Sequence, residues 1–335
     1  MRRCYRKKYM RIAEAPLLLS ESWPRSQRGV AMILTLLILT LLVVTGLELN
    51  RAMRVEANLA GNFRDLTQAS YIAQSGVEIA RALIQEDEPS YDALDERWAQ
   101  FEVLAVFSSQ LFNEGHFAGQ ITDEGAKFNP NGLIDPYGIV DQKKKNQLER
   151  LFTILGHDPK KIDAILDWLD PDDHKRPLGA EREYYMNLKR PYAPKNGPLD
   201  SWGEFLLIKE MDVATFYGTD EREGLGKYLT IYSDGKININ TASIPVLMSL
   251  SPRVDQSMAQ AVLEYRTEKP FRQNEDLRSV PGWGQIYAEI SSEITVRSNF
   301  FSIGVFGYYR DALAAVQTVV KREGRKTRVL FWKAG

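Results

Sequence analysis

The sequence predicts an α+β protein, in which a long N-terminal helix packs on a small antiparallel sheet and a large α-helical insertion interrupts the sheet. Three observations predict this class. An uncharged apolar run from Val30 to Leu47 passes without a break into an apolar stripe spaced three and four residues apart. Strand-like stretches fall far apart, at His116 to Ile121 and again near the C-terminus. Nearly everything between them has helical periodicity.

The 335 residues carry 43 Lys plus Arg against 44 Asp plus Glu, and this balance excludes a strongly basic nucleic-acid coat. With 44% hydrophobic and 26% charged residues, wholesale disorder is excluded as well. The single cysteine, Cys4, cannot close an intrachain disulfide. His116, His157 and His174 are too scattered for zinc-finger spacing.

The first 28 residues hold eight basic side chains and two acidic ones. The following 18 residues, VAMILTLLILTLLVVTGL, would run about 27 Å as a helix and nearly span a bilayer core. Basic residues before this run place the N-terminus in the cytoplasm and the rest outside. A cleaved secretory signal needs a shorter core and a small-residue site, yet Gly46 is followed by Leu47-Glu48-Leu49-Asn50-Arg51. A buried soluble helix needs a polar face, and here only Thr35, Thr40 and Thr45 are polar. A plain signal anchor stays open on hydropathy alone. The junction Arg28-Gly29-Val30 separates the readings, because its glycine stands before the apolar run.

Beyond Leu47 the stripe Leu59, Phe63, Leu66, Ala73, Val77, Ala80 and Ile84 continues the same helix on one face. Unbroken, Val30 to Ile84 would extend about 80 Å, with Gly46, Gly61 and Gly76 each weakening it by about 1 kcal/mol relative to alanine. Its partner sheet is expected from His116 to Ile121, Tyr228 to Tyr232, Ser298 to Tyr308, Ala314 to Lys321 and Thr327 to Trp332. Helices are expected over Gln142 to Leu155, Pro159 to Leu169 and Asp200 to Ile208.

From Lys236 to Trp283 the chain resembles helix-hairpin-helix units, with Thr241 as the expected N-cap and Pro281-Gly282 as the terminating turn. A nucleic-acid-binding hairpin wants glycines that bring backbone N–H groups close to a phosphate. The first turn here is Ser251-Pro252-Arg253-Val254-Asp255, without glycine, and only Gly282 and Gly284 at the second turn fit. Seven basic and seven acidic residues between Lys236 and Arg297 cancel, so counterion release offers little driving force. A protein-packing module is the reading, and no nucleic-acid partner is expected.

Asp170, Asp172, Asp173 and Glu181 form a dense carboxylate group whose hard oxygens suit calcium. Asp170, Asp172 and Glu181 take the first, third and twelfth places of an EF-hand spacing, but His174 and Lys175 break that pattern. The expectation is a cation loop of another geometry, weighed against a helix C-terminus with solvated acids. No nucleophile elbow, zinc-protease motif or phosphate loop is present, and no catalytic residue is assigned.

A basic leader ending in glycine and followed at once by an apolar helix resembles the signal of type IV pilins and type II secretion pseudopilins. The resemblance implies cleavage after Gly29 by a prepilin peptidase and methylation of the new terminus, Val30. It also implies a retained inner-membrane helix and a periplasmic C-terminal domain with a pilin-like fold. The mature chain would carry a net charge of minus seven and no cysteine. Ordinary subunits carry glutamate as the fifth residue after the cut, where Leu34 stands here, and that departure suits the tip of an assembly. INxNTAS, LDPDD and NPNG strengthen the resemblance, to the large minor pseudopilins of type II secretion. For them it implies two inserted helical modules, SAM-like or helix-hairpin-helix-like, and bound calcium. The implied partners are minor pseudopilins I and J, other pseudopilins, the prepilin peptidase and the inner-membrane assembly platform. The implied role is to cap and initiate a pseudopilus for export of folded proteins.

The expected segments are a leader at 1–29, a membrane half-helix at 30–47, and helix with first strands at 48–126. Two helical modules follow at 127–227 and 228–297, then C-terminal strands at 298–335. Two alternatives share parts of this pattern. A type IV pilus minor pilin would lack the INxNTAS modules, and a membrane-anchored helix-hairpin-helix DNA-binding protein would need a basic hairpin face. The start is open too, since Met10 would give a shorter leader with the same Gly29 junction.

Overall fold

A computed structural model of the chain describes residues 27–87 and 90–335; the basic leader through Arg25, with Met10, lies outside the described residues. Helix α1 covers Gln27–Glu86. The chain divides into two compact units, one ending at Gly61 and one beginning at Asn62.

The described part of the first unit is helix alone. Its apolar side chains from Val30 to Leu47 are exposed, and the segment is long and apolar enough to cross a membrane. Thr35, Thr40 and Thr45 donate their hydroxyls to the carbonyls of Met32, Leu37 and Leu42 at 2.9, 2.9 and 3.0 Å. The few polar groups are therefore satisfied inside the helix, as an apolar solvent requires.

The second unit contains the remaining elements in the order α2 Phe101–Ala105, β1 His116–Asp123, α3 Gln142–Ile154, α4 Ile162–Leu169, α5 Arg182–Met186, α6 Trp202–Phe205 and α7 Val213–Tyr217. Short strands β2 Gly218–Thr219, β3 Arg222–Glu223 and β4 Ile237–Asn238 follow, then α8 Ile244–Ser249, α9 Gln256–Glu268, α10 Tyr287–Ile290 and β5 Ile294–Thr295. The chain closes with β6 Phe300–Tyr309, β7 Ala312–Glu323 and β8 Lys326–Ala334. Strands β1, β6, β7 and β8 form one antiparallel sheet in that order. The whole helical insertion separates β1 from its neighbour β6, yet they pair from His116 opposite Tyr308 to Asp123 opposite Phe301.

Helix α1 lays Ile72, Ala73, Val77, Ala80 and Ile84 against Phe117, Ile121, Phe301, Ile303, Val305, Val316 and Val320. Small residues set the closeness of this packing. A Cβ on Gly307 would lie 2.2 Å from the carbonyl oxygen of Ala69 and 2.5 Å from the backbone nitrogen of Ala73. A Cβ on Gly76 would meet Val305 at 2.8 Å. The expected stripe is thus only partly used: Phe63 and Leu66 are exposed because the close approach to the sheet begins at Ala69, and Leu59 is exposed as well.

The insertion has a single contiguous core from Phe128 to Val296, built around Trp168, Trp283, Phe152, Phe205, Tyr185 and Phe271. Helices α3 and α8 are tied through Arg150, which donates to the carbonyls of Ser249 and Leu250 at 2.6 and 3.1 Å. Three local expectations change. Tyr228 to Tyr232 is not a strand, because the only pairing is a bridge between Phe128 and Leu229 and the Thr230 hydroxyl accepts from the Tyr232 amide in a turn. Thr241 is not a cap; its hydroxyl donates to Asp123, and Ser243 takes the position before α8, with Pro245 in the first turn. The helix expected over Asp200 to Ile208 shortens to α6, capped by Ser201.

The insertion meets the sheet at a buried polar node. Asp123, at the end of β1, accepts from Thr241 Oγ1 at 2.6 Å, Ser298 Oγ at 2.7 Å, Asn238 Nδ2 at 2.9 Å and the Gly125 amide at 2.7 Å. Asn238 Nδ2 also reaches the carbonyl of Asp92. Asp92 in turn holds the Ser298 amide and both of its oxygens accept from the buried Arg322 of β7 at 2.6 Å.

Two outcomes follow from this packing. Gly307→Val forces α1 off the sheet and should lower stability by about 1–3 kcal/mol, as for overpacked cores. Gly304→Ala is the control, since nothing lies within 4 Å of its added Cβ; equal losses in urea titrations of the two variants would refute the close-approach account. Glu96, whose Oε2 accepts from the Ala93 amide and Trp98 Nε1 at 2.9 Å, is pushed up to about 7 from 4.5 by burial. Its folded-state value exceeds its unfolded one, so its contribution is complete below pH 4.5 and is lost as pH rises through about 7. Wild-type protein should therefore lose more stability between pH 5 and pH 8 than Glu96→Gln does, measured by urea midpoints; identical pH slopes would contradict this.

Candidate metal centre

Helix α4 ends at Leu169, and Asp170 is its C-cap with extended backbone. The loop that follows wraps back over the helix. Asp167, fully buried, accepts from the Arg176 amide and, at 2.6 Å, from Arg176 Nη1. Gly179 passes so close that a Cβ there would sit 1.8 Å from Asp167 Oδ2. Asp163 accepts from the Leu178 amide. This wrapping returns Glu181 to Asp170.

Carboxylate oxygens of Asp170, Asp172 and Glu181 converge within 4.8 Å of one another. Asp170 and Glu181 are buried and Asp172 is exposed. Arg176 Nη1 takes one oxygen of Asp170, but Asp170 Oδ1 and both oxygens of Glu181 are buried without a hydrogen-bond partner among the described residues. Burial, and then repulsion from Asp167, Asp170, Asp173 and Asp172, pushes the Glu181 carboxyl up to about 8. Burial also raises Asp170, against the pull of Arg176. Asp172 is held low by the His174 amide, which donates to it at 2.7 Å.

Unpartnered buried carboxylate oxygens are costly. A hard divalent cation meets that demand, because oxygen-only donor sets with several carboxylates suit calcium. The donor set on this loop fits such an ion. Asp173 is not among the converging groups; it accepts from Asn196 Nδ2 at 3.4 Å. Two participants carry no signal in the carboxylate spacing. Arg176 orders the loop. Asn196 donates to the Asp172 carbonyl at 2.9 Å and leaves its own buried Oδ1 unpartnered, adding a neutral oxygen nearby.

A second acidic group, Asp87, Asp92 and Glu96, also converges. Its oxygens are committed to Arg322, the Ser298 amide, the Ala93 amide and Trp98, so it is a structural junction.

The other sequence-assigned residues lie on α1. Among the described residues Gly29 has nothing within 4 Å of an added Cβ, and Val30 and Leu34 are 63% and 55% exposed. In the hairpin segment, Asp255 caps α9 through the Met258 amide at 2.8 Å, and Gly282 has φ +84. Two of its basic groups are engaged within the protein. Arg253 pairs with Glu289, and Arg266 donates to the carbonyls of Ile239 and Ala242 at 2.9 and 2.8 Å.

Residues 126–218 match the family profile of type II secretion system protein K, and residues 233–290 match a helix-hairpin-helix motif. The chain is 27% identical to type II secretion system protein K of Pseudomonas aeruginosa, over 75% of this chain and 76% of that one. It is 28% identical to the Klebsiella pneumoniae protein K, over 79% of each chain. With the Aeromonas hydrophila protein K it shares 26% identity over 89% of this chain and 94% of that one. The fold is similar to a chain in the GspK–GspI–GspJ complex of the enterotoxigenic Escherichia coli type 2 secretion system. The TM-score is 0.65 at 17% identity, covering 84% of this chain and 99% of that one.

Glu181→Gln keeps the shape of the side chain and replaces a carboxyl, pushed up to about 8, by an amide that cannot ionise to bind a cation. Without added metal it should leave stability unchanged or raised by about 1 kcal/mol. It should also abolish the rise in melting temperature that calcium produces in the wild type. A calcium-dependent rise that survives Glu181→Gln, or is absent from the wild type, would rule out this centre.

Proposed function

The chain belongs to the type II secretion system protein K family, and from that premise we propose that it caps and initiates a short pseudopilus supporting export of folded proteins across the outer membrane. The family is a structural one, and the chain is a pseudopilin component of the machine rather than an enzyme. The observation that carries the proposed role is an exposed apolar half-helix in a chain whose head bears a large helical insertion on a helix-and-sheet scaffold.

Each part has a physical reading. Residues 1–29 form the leader, and cleavage after Gly29 leaves Val30 as a methylated terminus on a helix retained in the inner membrane, with the head in the periplasm. Leu34 stands where an ordinary subunit presents a carboxylate to the terminal amine of its neighbour. A carboxylate in lipid is costly unless partnered, so a subunit with none ahead of it does better without one. A head enlarged by modules at 127–227 and 228–297 would obstruct a neighbour packed above it, and this favours the tip. The complex that holds GspK with GspI and GspJ supports partnership with minor pseudopilins I and J. Other pseudopilins, the prepilin peptidase and the assembly platform complete the proposed set. Asp170, Asp172 and Glu181, with Asp173 beside them, would hold calcium. The ion would supply positive charge to oxygens that otherwise repel, and so fix the loop from Asp170 to Glu181.

Intact mass and N-terminal sequencing of membrane-extracted protein, with and without the prepilin peptidase, test the class. The expected product begins at a methylated Val30 only when the peptidase is present. An uncut chain, or a cut after Gly46, would defeat both the processing and the tip argument built on Leu34.

A further inference from the structure

The sheet ends in an open strand. Among the described residues, β8 pairs with β7 and has no strand on its other side. Gly335 and Ala315 exchange both backbone hydrogen bonds, N to O at 3.0 and 2.8 Å. In an antiparallel ladder such pairs alternate, so Lys333 opposite Gln317 and Phe331 opposite Val319 also face β7. The N–H and C=O groups of Trp332 and Ala334 therefore point away from the sheet. Nearer the hairpin the edge is occupied, because Arg81 Nη2 donates to the Thr327 carbonyl. The register shift between Val319 and Val320 separates that closed part from the open one.

The open part is apolar and basic. Val329, Leu330 and Trp332 are exposed. From Val329 to Ala334 Lys333 is the one charged residue, and it is basic. Beside the strand, Phe331, Val319 and Lys333 line a cleft of about 950 Å³ together with Trp202, Tyr217 and Arg222. The acids in this cleft, Glu124 and Glu223, are neutralised by Lys127 and Lys227. Lys333 and Arg222 leave it positive.

We propose that the edge of β8 from Val329 to Ala334 accepts an extended acidic segment of another polypeptide as a fifth strand, with alternate side chains of that segment entering the cleft. Unpaired backbone groups in strand geometry select an extended backbone. Alternation along the added strand sends every second residue toward Phe331 and Trp202. A second copy of this chain pairing β8 to β8 is disfavoured, because it would bring two Lys333 side chains to one seam with no acidic residue between Val329 and Ala334 to offset them.

The test is amide hydrogen exchange on the full-length chain in detergent micelles, with a synthetic ten-residue peptide alternating valine and glutamate, and with its lysine counterpart. The glutamate peptide should slow exchange at Trp332 and Ala334 at least tenfold, and the lysine peptide should not. Trp332→Pro removes an outward N–H that β7 does not use, and should abolish the effect while the Phe331 amide stays protected; Trp332→Val should keep it. Lys333→Glu, which leaves the ladder untouched, should weaken the glutamate peptide. Any of three results would overturn the proposal: equal protection by both peptides, protection that survives Trp332→Pro, or Trp332 and Ala334 amides already protected by self-association.

Discussion

The carboxylate of Asp123 is the point on which the architecture of the head turns. A strand from the middle of the chain, a loop from the insertion and the start of the last hairpin all reach it, through Asp123, Asn238 with Thr241, and Ser298. Burial pushes this carboxyl above its ordinary range, and hydrogen bonds from Thr241, Ser298, the Gly125 amide and Asn238 oppose the shift. Such a group is tolerated only where its donors are fixed, and the donors here come from three stretches of chain, at Gly125, at Asn238 and Thr241, and at Ser298. The node therefore specifies how an insertion can interrupt a sheet without separating β1 from β6. Arg322 and Asp92 extend it to the far end of β7, so the sheet and the chain leaving α1 share one polar framework.

Close packing supplies the complementary constraint. Gly307 and Gly76 let a helix of alanines and β-branched residues lie directly on the sheet, where larger side chains would hold it away. Dispersion and apolar burial are short-ranged, so the docked stretch ends where the approach ends, near Ala69. Phe63 and Leu66 remain outward for that reason. Alternating burial along β6 and β7 follows from the same face-by-face division of the sheet.

The candidate cation centre shows how electrostatic imbalance is built by backbone geometry. Arg176 neutralises Asp167 and half of Asp170 from one side, and the close passage of Gly179 brings Glu181 in from the other. The remaining oxygens face one another across a small space with no donor of their own. Carboxylates can be gathered in this way only if the loop is tied down by other bonds, which the contacts of Asp163 and Asp167 to loop amides provide.

The sequence by itself determined the features that depend on short-range order. The uncharged run to Leu47, the 3.6-residue stripe through Ile84, the strands around Ile303, Val316 and Phe331, and α3 and α4 all follow from local periodicity and side-chain type. It also determined that Asp170, Asp172 and Glu181 are candidate ligands, because carboxylate spacing is a local property. Only the tertiary structure decided what requires distant partners. It gave Thr241 to Asp123 rather than to a helix cap, reduced Tyr228 to Tyr232 to a single bridge, and left Asp173 to Asn196. It joined the insertion into one core and drew Arg176 and Asn196 to the acidic loop. Hydrogen-bond partners separated by a hundred residues leave no periodic trace, because their pairing is fixed by the fold's closure and not by the spacing of neighbours along the chain.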